Sequence, residues 1–217
     1  MLKTFSLLYE SYVVPGATLL PIIAGLIYYK RLSKAIHALI VYLGIALLIN
    51  IVGIVMANHN INNMPLLHIY TLFELLAVMW YYKRAFNTQA AATRITVLMV
   101  VYSVLCVLNF TFFQSIYQFN TYTRPLEAII VVVTGCIYLS VLGNADSKDS
   151  VNNAGRWITG GFLLYFCSSF FQFVFSNVIS HHASKSVKFI IWNLHDTFVL
   201  IMYIFFFVAI RYEASKR

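Results

Sequence analysis

Charge is what this sequence has least of. Only 10% of its 217 residues are Asp, Glu, Lys or Arg, and only 7 are acidic. A soluble domain carries about 25% charged residues, so this chain cannot cover its apolar surface with polar groups in water. With 61% hydrophobic residues and a mean hydropathy of +0.79, lipid must do that covering. Cysteine is also scarce. Cys106, Cys136 and Cys167 lie far apart inside apolar runs with no CxxC, which excludes a disulfide framework or a thiolate metal site. Neither HExxH nor GxSxG occurs. Period-2 alternation is missing, which argues against a transmembrane β-barrel. No internal repeat is visible, and seven apolar runs do not divide into two inverted halves, which disfavours a transporter.

What is present is a series of apolar runs, each near the roughly 20 residues that a membrane crossing needs. They cover Leu8–Tyr29, Ala35–Met56, Pro65–Tyr82, Ile95–Phe113, Pro125–Leu142, Trp157–Asn177 and Phe189–Ile210. Backbone groups cannot go unpaired in hydrocarbon, so these runs are expected to be helices. The expected fold is all-α: a single seven-transmembrane helix bundle over residues 1–217. The first run, with Pro15, Pro21 and no small-residue cleavage site, reads as a retained helix rather than a removed signal peptide. Lys30, Arg31, Lys34, Lys83, Arg84, Arg94, Lys148, Arg156, Arg211, Lys216 and Arg217 fall on one side of the membrane. Lys3, Arg124, Lys185 and Lys188 fall on the other. The eleven belong in the cytoplasm, so the N-terminus is expected outside and the C-terminus inside. The net charge of +8 is thus a topology signal in short loops, not a nucleic-acid surface. After Ile210 only RYEASKR remains, too little for an output domain of its own.

Ionisable groups inside a span are costly, by about 2.5–3.5 kcal/mol each on the insertion scale, and are functional candidates by default. The rise of 1.5 Å per residue gives their depth. In NNMPLLHIYTLFELLAVMW, residues 62–80, His68 lies one turn below Pro65 and Glu74 roughly 13 Å down. Their separation of six residues puts them about 120° apart, so they do not share a face. Asn193, His195 and Asp196 lie about 6–11 Å deep in the seventh span. Arg124 and Glu127, at the start of the fifth, are close enough to pair. Asn50, Asn109 and Gln172 fall in the same half of the membrane, whereas the other half holds almost nothing polar beyond Ser, Thr and Tyr. A polar cavity in the outer half, closed toward the cytoplasm by an apolar plug, is the expectation. The amides can equally be interhelical glue, Arg124–Glu127 an interfacial ion pair, and His68 a partner of a nearby carbonyl.

Seven spans with an external N-terminus resemble rhodopsins and G-protein-coupled receptors in topology only. The seventh span has no lysine for a retinal Schiff base, helix three ends WYYKR instead of Asp-Arg-Tyr, and Asn-Pro-x-x-Tyr is missing. No cofactor is expected. A zinc site from His68, Glu74, His195 and Asp196, or a haem between His68 and His195, are minor alternatives. Zinc-dependent lipid hydrolases of the ceramidase type use a histidine pair on the last helix, where this chain has only His195. The segments NNMPLLHIYTLFE, NTYTRPLEAII, WITGGFLLYFCSSFFQFVFSN and IWNLHDTFVL make the chain resemble small seven-helix bacterial membrane proteins. These are similar to the input regions of sensor histidine kinases. The resemblance implies that His68, Glu74, Arg124, Glu127 and His195 are signature positions, without assigning their roles. With the one-sided distribution of polar residues and the short tail, the expectation is a sensor of a bacterial inner membrane that binds a small ligand, lipid head group or protons and signals through a partner such as a histidine kinase. An intramembrane lipid hydrolase using a metal or an acid/base pair is the alternative, and a proton-coupled carrier the third reading.

Overall fold

A computed structural model of the chain describes residues 8–143 and 150–216. Lys3, Lys148 and Arg217, three of the topology lysines and arginines, lie outside the described residues. Among those described there is no strand. Helix α1 is composite, made of a π-turn Tyr9–Val13 followed by the α-helical segments Val14–Ala17 and Leu19–Ile27. The long helices are α2 (Lys34–Asn58), α3 (Met64–Phe86), α4 (Gln89–Leu108), α5 (Thr123–Gly143), α6 (Ser150–His182) and α7 (Lys185–Lys216). A π-turn, Asn109–Phe113, prolongs α4. Six helices are long and apolar enough to cross a membrane. The chain is a multi-pass membrane helical bundle.

The expected first span is the one that differs. Pro15 and Pro21 have no N–H, so the continuous ladder across Leu8–Tyr29 is broken. At the break the Thr18 N–H donates to the Pro15 carbonyl at 3.2 Å, a tightened turn. The other boundaries follow local capping. Ser33 and Thr88, in extended conformation, cap α2 and α4 by accepting from the Ile36 and Ala91 N–H groups. Asn62 Oδ1 accepts from the Met64 N–H at 2.9 Å, and Pro65 occupies the first turn of α3. Asn87, at φ 50°, ends α3 in the left-handed region that Asn tolerates. Helices α6 and α7 run to 33 and 32 residues, well past their expected bounds. At about 1.5 Å per residue each spans about 50 Å, more than a hydrocarbon core of about 30 Å.

Helices α1, α2, α3, α5, α6 and α7 pack in sequence around a closed ring, with α4 set against α3. The outward face is apolar. Ile129, Val133, Ile137 and Val141 recur every four residues along α5 at 47–54% exposure. That stripe is a lipid-facing surface. The interior is aromatic: Tyr42, Tyr81, Tyr82, Phe162, Phe166 and Phe206 are all essentially inaccessible. Their rings, with Phe86 and Tyr138, interlock largely edge-on at centroid distances of 4.9–6.4 Å. This plug closes the bundle beyond Glu74. It admits a bulky Tyr138 because Gly155 on α6 presents no Cβ, and a methyl there would strike the Tyr138 hydroxyl.

At the end of the bundle away from Glu74 lies a contact that the composition of the spans does not announce. Glu213 is 1% exposed. Its carboxylate accepts the Ser33 N–H at 2.5 Å and the Ser33 hydroxyl at 3.3 Å. In a capping box the residue three positions into the helix supplies that carboxylate, but here that residue is Ile36. Helix α7 therefore completes the N-terminal cap of α2 from across the bundle. Glu213→Ala should lower the thermal stability of the purified protein by about 1–3 kcal/mol, the cost of orphaning a buried donor. Gly155→Ala should also destabilise, by overpacking, and Tyr138→Phe in the same chain should recover part of the loss in a melting experiment.

Candidate functional site

The site begins at Glu74, halfway along α3 and 1% exposed. Two hydroxyls donate to its Oε1, Tyr42 from α2 at 3.1 Å and Tyr70 from α3 at 3.0 Å. Its Oε2 accepts from Arg124 Nη1. The same Nη1 donates to Glu127 Oε2 at 3.0 Å, one turn along α5. Arg124 Nη2 donates to the Tyr165 hydroxyl on α6 at 3.0 Å. The guanidinium also lies over the rings of Tyr70 and Phe173, at 5.4 and 4.7 Å from their centroids. One cation thus sits between two carboxylates, and four helices meet at it. Glu127 is fully buried, and its Oε1 has no hydrogen-bond partner.

Arg124 is aimed inward by its loop. The loop between the π-turn and α5 is clasped by side chains on all sides. The Asn177 amide bonds both the N–H and the carbonyl of Phe119, each at 3.1 Å. Gln114 does the same to the N–H and hydroxyl of Thr121. Asn62 donates to the Tyr117 carbonyl, and His68 Nε2 donates to the Gln118 carbonyl at 3.0 Å. Asn120 Oδ1 then accepts the Thr123 N–H at 3.0 Å and starts α5 immediately before Arg124.

Beside this ion cluster is a cavity of about 240 Å³, walled by α1, α2, α3, α5, α6, α7 and the clasped loop. Of the residues singled out from the sequence, Asn50, Glu74, Arg124, Gln172, His195 and Asp196 line it. Glu127 stands behind Arg124. The other three are elsewhere, Asn109 being buried in the π-turn that prolongs α4. His68 takes the carbonyl role and anchors the loop, and Asn193 Nδ2 donates back to the Phe189 carbonyl of its own helix at 2.8 Å. His195 Nδ1 lies 2.8 Å from Ser169 Oγ, with its ring against Tyr165 and Phe173. Among the described residues no three His, Cys, Asp or Glu side chains are grouped to hold a metal. His68, Glu74, His195 and Asp196 therefore do not form one ligand set.

Sequence reasoning missed the hydroxyls: Tyr42, Tyr70 and Tyr165 complete the ion cluster, while Ser169 holds His195. Tyr70 stands four residues before Glu74, a spacing that brings two side chains together on one helix face, and that signal was readable. Compared with known proteins, the chain matches no family model, no curated protein and no solved structure.

Arg124→Met leaves Glu74 and Glu127 as buried carboxylates with no counter-charge between them. The loss should be about 3–5 kcal/mol, the scale for breaking a buried pair by removing one partner. Adding Glu74→Gln and Glu127→Gln to the same chain should recover much of it. Thermal unfolding of the single and triple variants in detergent checks both expectations.

Proposed function

We propose that the chain is a receptor-like sensor module of a bacterial inner membrane, with its N-terminus outside and its cavity in the outer half. A small ligand, lipid head group or proton acts on the cavity, and a partner protein such as a histidine kinase carries the signal. One observation supports this above the others. The cavity lies where all but one of the helices meet, and its charged groups are bonded to one another across helix boundaries. Binding that rearranges those bonds changes how α2, α3, α5 and α6 sit together. A differential contact of that kind is what shifting a conformational equilibrium requires.

Helix α7 supplies a route to the opposite end. It contains neither Gly nor Pro from Lys185 to Lys216, so nothing in it acts as a hinge. It carries His195 and Asp196 at the cavity and Glu213 at the α2 cap, about 25 Å further on at helical rise. Movement of α7 at the cavity is delivered to Ser33 and the basic segment Tyr29–Arg31 beside it. On this reading those basic segments face the cytoplasm and meet the partner.

The lipid hydrolase remains the second reading. Against it stand the dispersed metal candidates and a Glu74 carboxylate already bonded by three donors. Two measurements separate the readings. Glu74→Gln and Asp196→Asn should change partner-dependent output in cells at unchanged protein level, and unchanged output in both would remove the basis of the sensor. Zinc analysis of purified protein should show no stoichiometric metal, whereas zinc lost on His68→Ala would favour the hydrolase.

A further inference from the structure

The end of the bundle away from Glu74 carries a hollow that the cavity does not explain. It measures about 460 Å³, opens at the surface between α6 and α7, and is lined by Asn153, Arg156, Trp157 and Tyr212. Its level is fixed from both helices. On α6 the apolar run begins at Trp157, directly after Arg156, and on α7 it ends at Ile210, two residues before Tyr212. The hollow therefore lies where hydrocarbon gives way to water, at the depth of lipid head groups. Trp157 is 41% exposed and meets Phe205 edge-on, with ring centroids 5.1 Å apart. Exposed indoles favour that level, because one end of the ring suits acyl chains and the other suits head groups.

The polar groups of the hollow are already held in place. Arg156 Nη1 donates to Asn153 Oδ1 at 2.9 Å, and Nη2 donates to the Leu142 carbonyl in the last turn of α5 at 3.0 Å. Neither partner carries a charge, so the guanidinium keeps its own charge and three of its five N–H donors. Asn153 Nδ2 donates to the Tyr212 hydroxyl at 3.3 Å, which leaves the phenol proton for another acceptor. No carboxylate among the described residues lines the hollow. Glu213 follows Tyr212 in the chain but bonds Ser33 on α2. An anion here meets a fixed guanidinium from one helix and a hydroxyl from the other. A cation meets only the guanidinium's repulsion.

We infer that this hollow binds the phosphodiester of an anionic phospholipid from the surrounding leaflet. Arg156 and the Tyr212 hydroxyl donate to its phosphate oxygens, and its acyl chains descend past Trp157 and Phe205. Ligand clefts span roughly 300–1,000 Å³, so a glycerophosphate head fits while the chains stay in the bilayer. Basic pockets between helices at a membrane face suit such head groups in general. A zwitterionic lipid brings an ammonium toward the same guanidinium and forfeits part of the attraction. The bound lipid joins α6 to α7 and, through Arg156, to the end of α5, so it stabilises the bundle. The site is separate from the cavity around Glu74 and stands whatever that cavity does.

The test is thermal unfolding of the full purified chain in a neutral maltoside detergent as lipids are titrated. Phosphatidylglycerol should raise Tm at a concentration about tenfold below that needed for phosphatidylethanolamine of the same chains, the scale of one charge contact. Glycerophosphoglycerol, the head without chains, should give no shift in that range. Arg156→Gln should remove the preference for phosphatidylglycerol, whatever it does to the lipid-free Tm. Tyr212→Phe keeps the ring, so it should change the lipid-free Tm little while weakening phosphatidylglycerol about fivefold, the scale of one hydrogen bond. Arg84→Gln removes an exposed cation in the last turn of α3 and should leave the titration unchanged. Equal stabilisation by the two lipids overturns the inference, as does no shift from either. A preference undiminished in Arg156→Gln or in Tyr212→Phe overturns it, and an equal loss in Arg84→Gln does so in favour of diffuse surface charge. A chainless head group that matches the lipid overturns it in favour of a free phosphodiester from water.

Discussion

Everything in the cavity half of the bundle hangs on the placement of Arg124 between Glu74 and Glu127. A lone carboxylate at the depth of Glu74 is costly in hydrocarbon, and so is a lone guanidinium. Together, with three tyrosine hydroxyls completing the shell, they are tolerable. The arrangement has two carboxylates for one cation, and this imbalance carries the chemistry. It leaves Glu127 Oε1 without a partner.

Holding one guanidinium in a fixed place needs a rigid start to α5, which explains the polar residues that do not face the cavity. Asn62, His68, Gln114 and Asn177 spend their hydrogen bonds on the loop before Arg124. They come from the start of α3, the end of α4 and the end of α6, so the loop is held from several directions and its Phe119 and Asn120 become part of the cavity wall. On the other side of Glu74 the aromatic plug does the equivalent work without polarity. Edge-on rings resist sliding, and the glycines of α6 let the helix carry them close to its neighbours.

Depth was legible in the sequence, and rotation was not. Helical rise is constant, so counting residues from Pro65, Phe189 or Met56 placed Glu74, His195, Asp196 and Asn50 in one layer, where the cavity lies. The direction a residue faces is normally read from amphipathicity. In a bundle surrounded by lipid the outer face is as apolar as the core, and that signal vanishes. His68 and Asn193 therefore looked equivalent to Glu74 and His195, although one anchors a loop and the other bonds its own helix. Glu213 escaped notice because α7 continues past the apolar run into what composition marks as a tail. The tyrosines escaped because 15 of them are spread through the chain, and only packing shows which hydroxyls meet a carboxylate.

The state of the polar groups bears on whether such a site recognises or reacts. A general base needs a lone pair free to take a proton from a substrate within hydrogen-bond reach. Three of the roughly four acceptor positions of Glu74 are already taken, by two hydroxyls and a guanidinium. His68 is turned to a backbone carbonyl, and His195 has its Nδ1 against Ser169. Recognition makes the opposite demand. It needs a preorganised field that does not relax when the ligand leaves, and charges on α3 and α5 held by hydroxyls from α2, α3 and α6 supply one. On the proposed sensor reading such a field can also be read out, because a ligand competing for a carboxylate would loosen its hold on Arg124. Loosening Arg124 frees α3, α5 and α6 from one another at a single point. On that reading the two carboxylates that hold Arg124 are what give a ligand leverage over the helices.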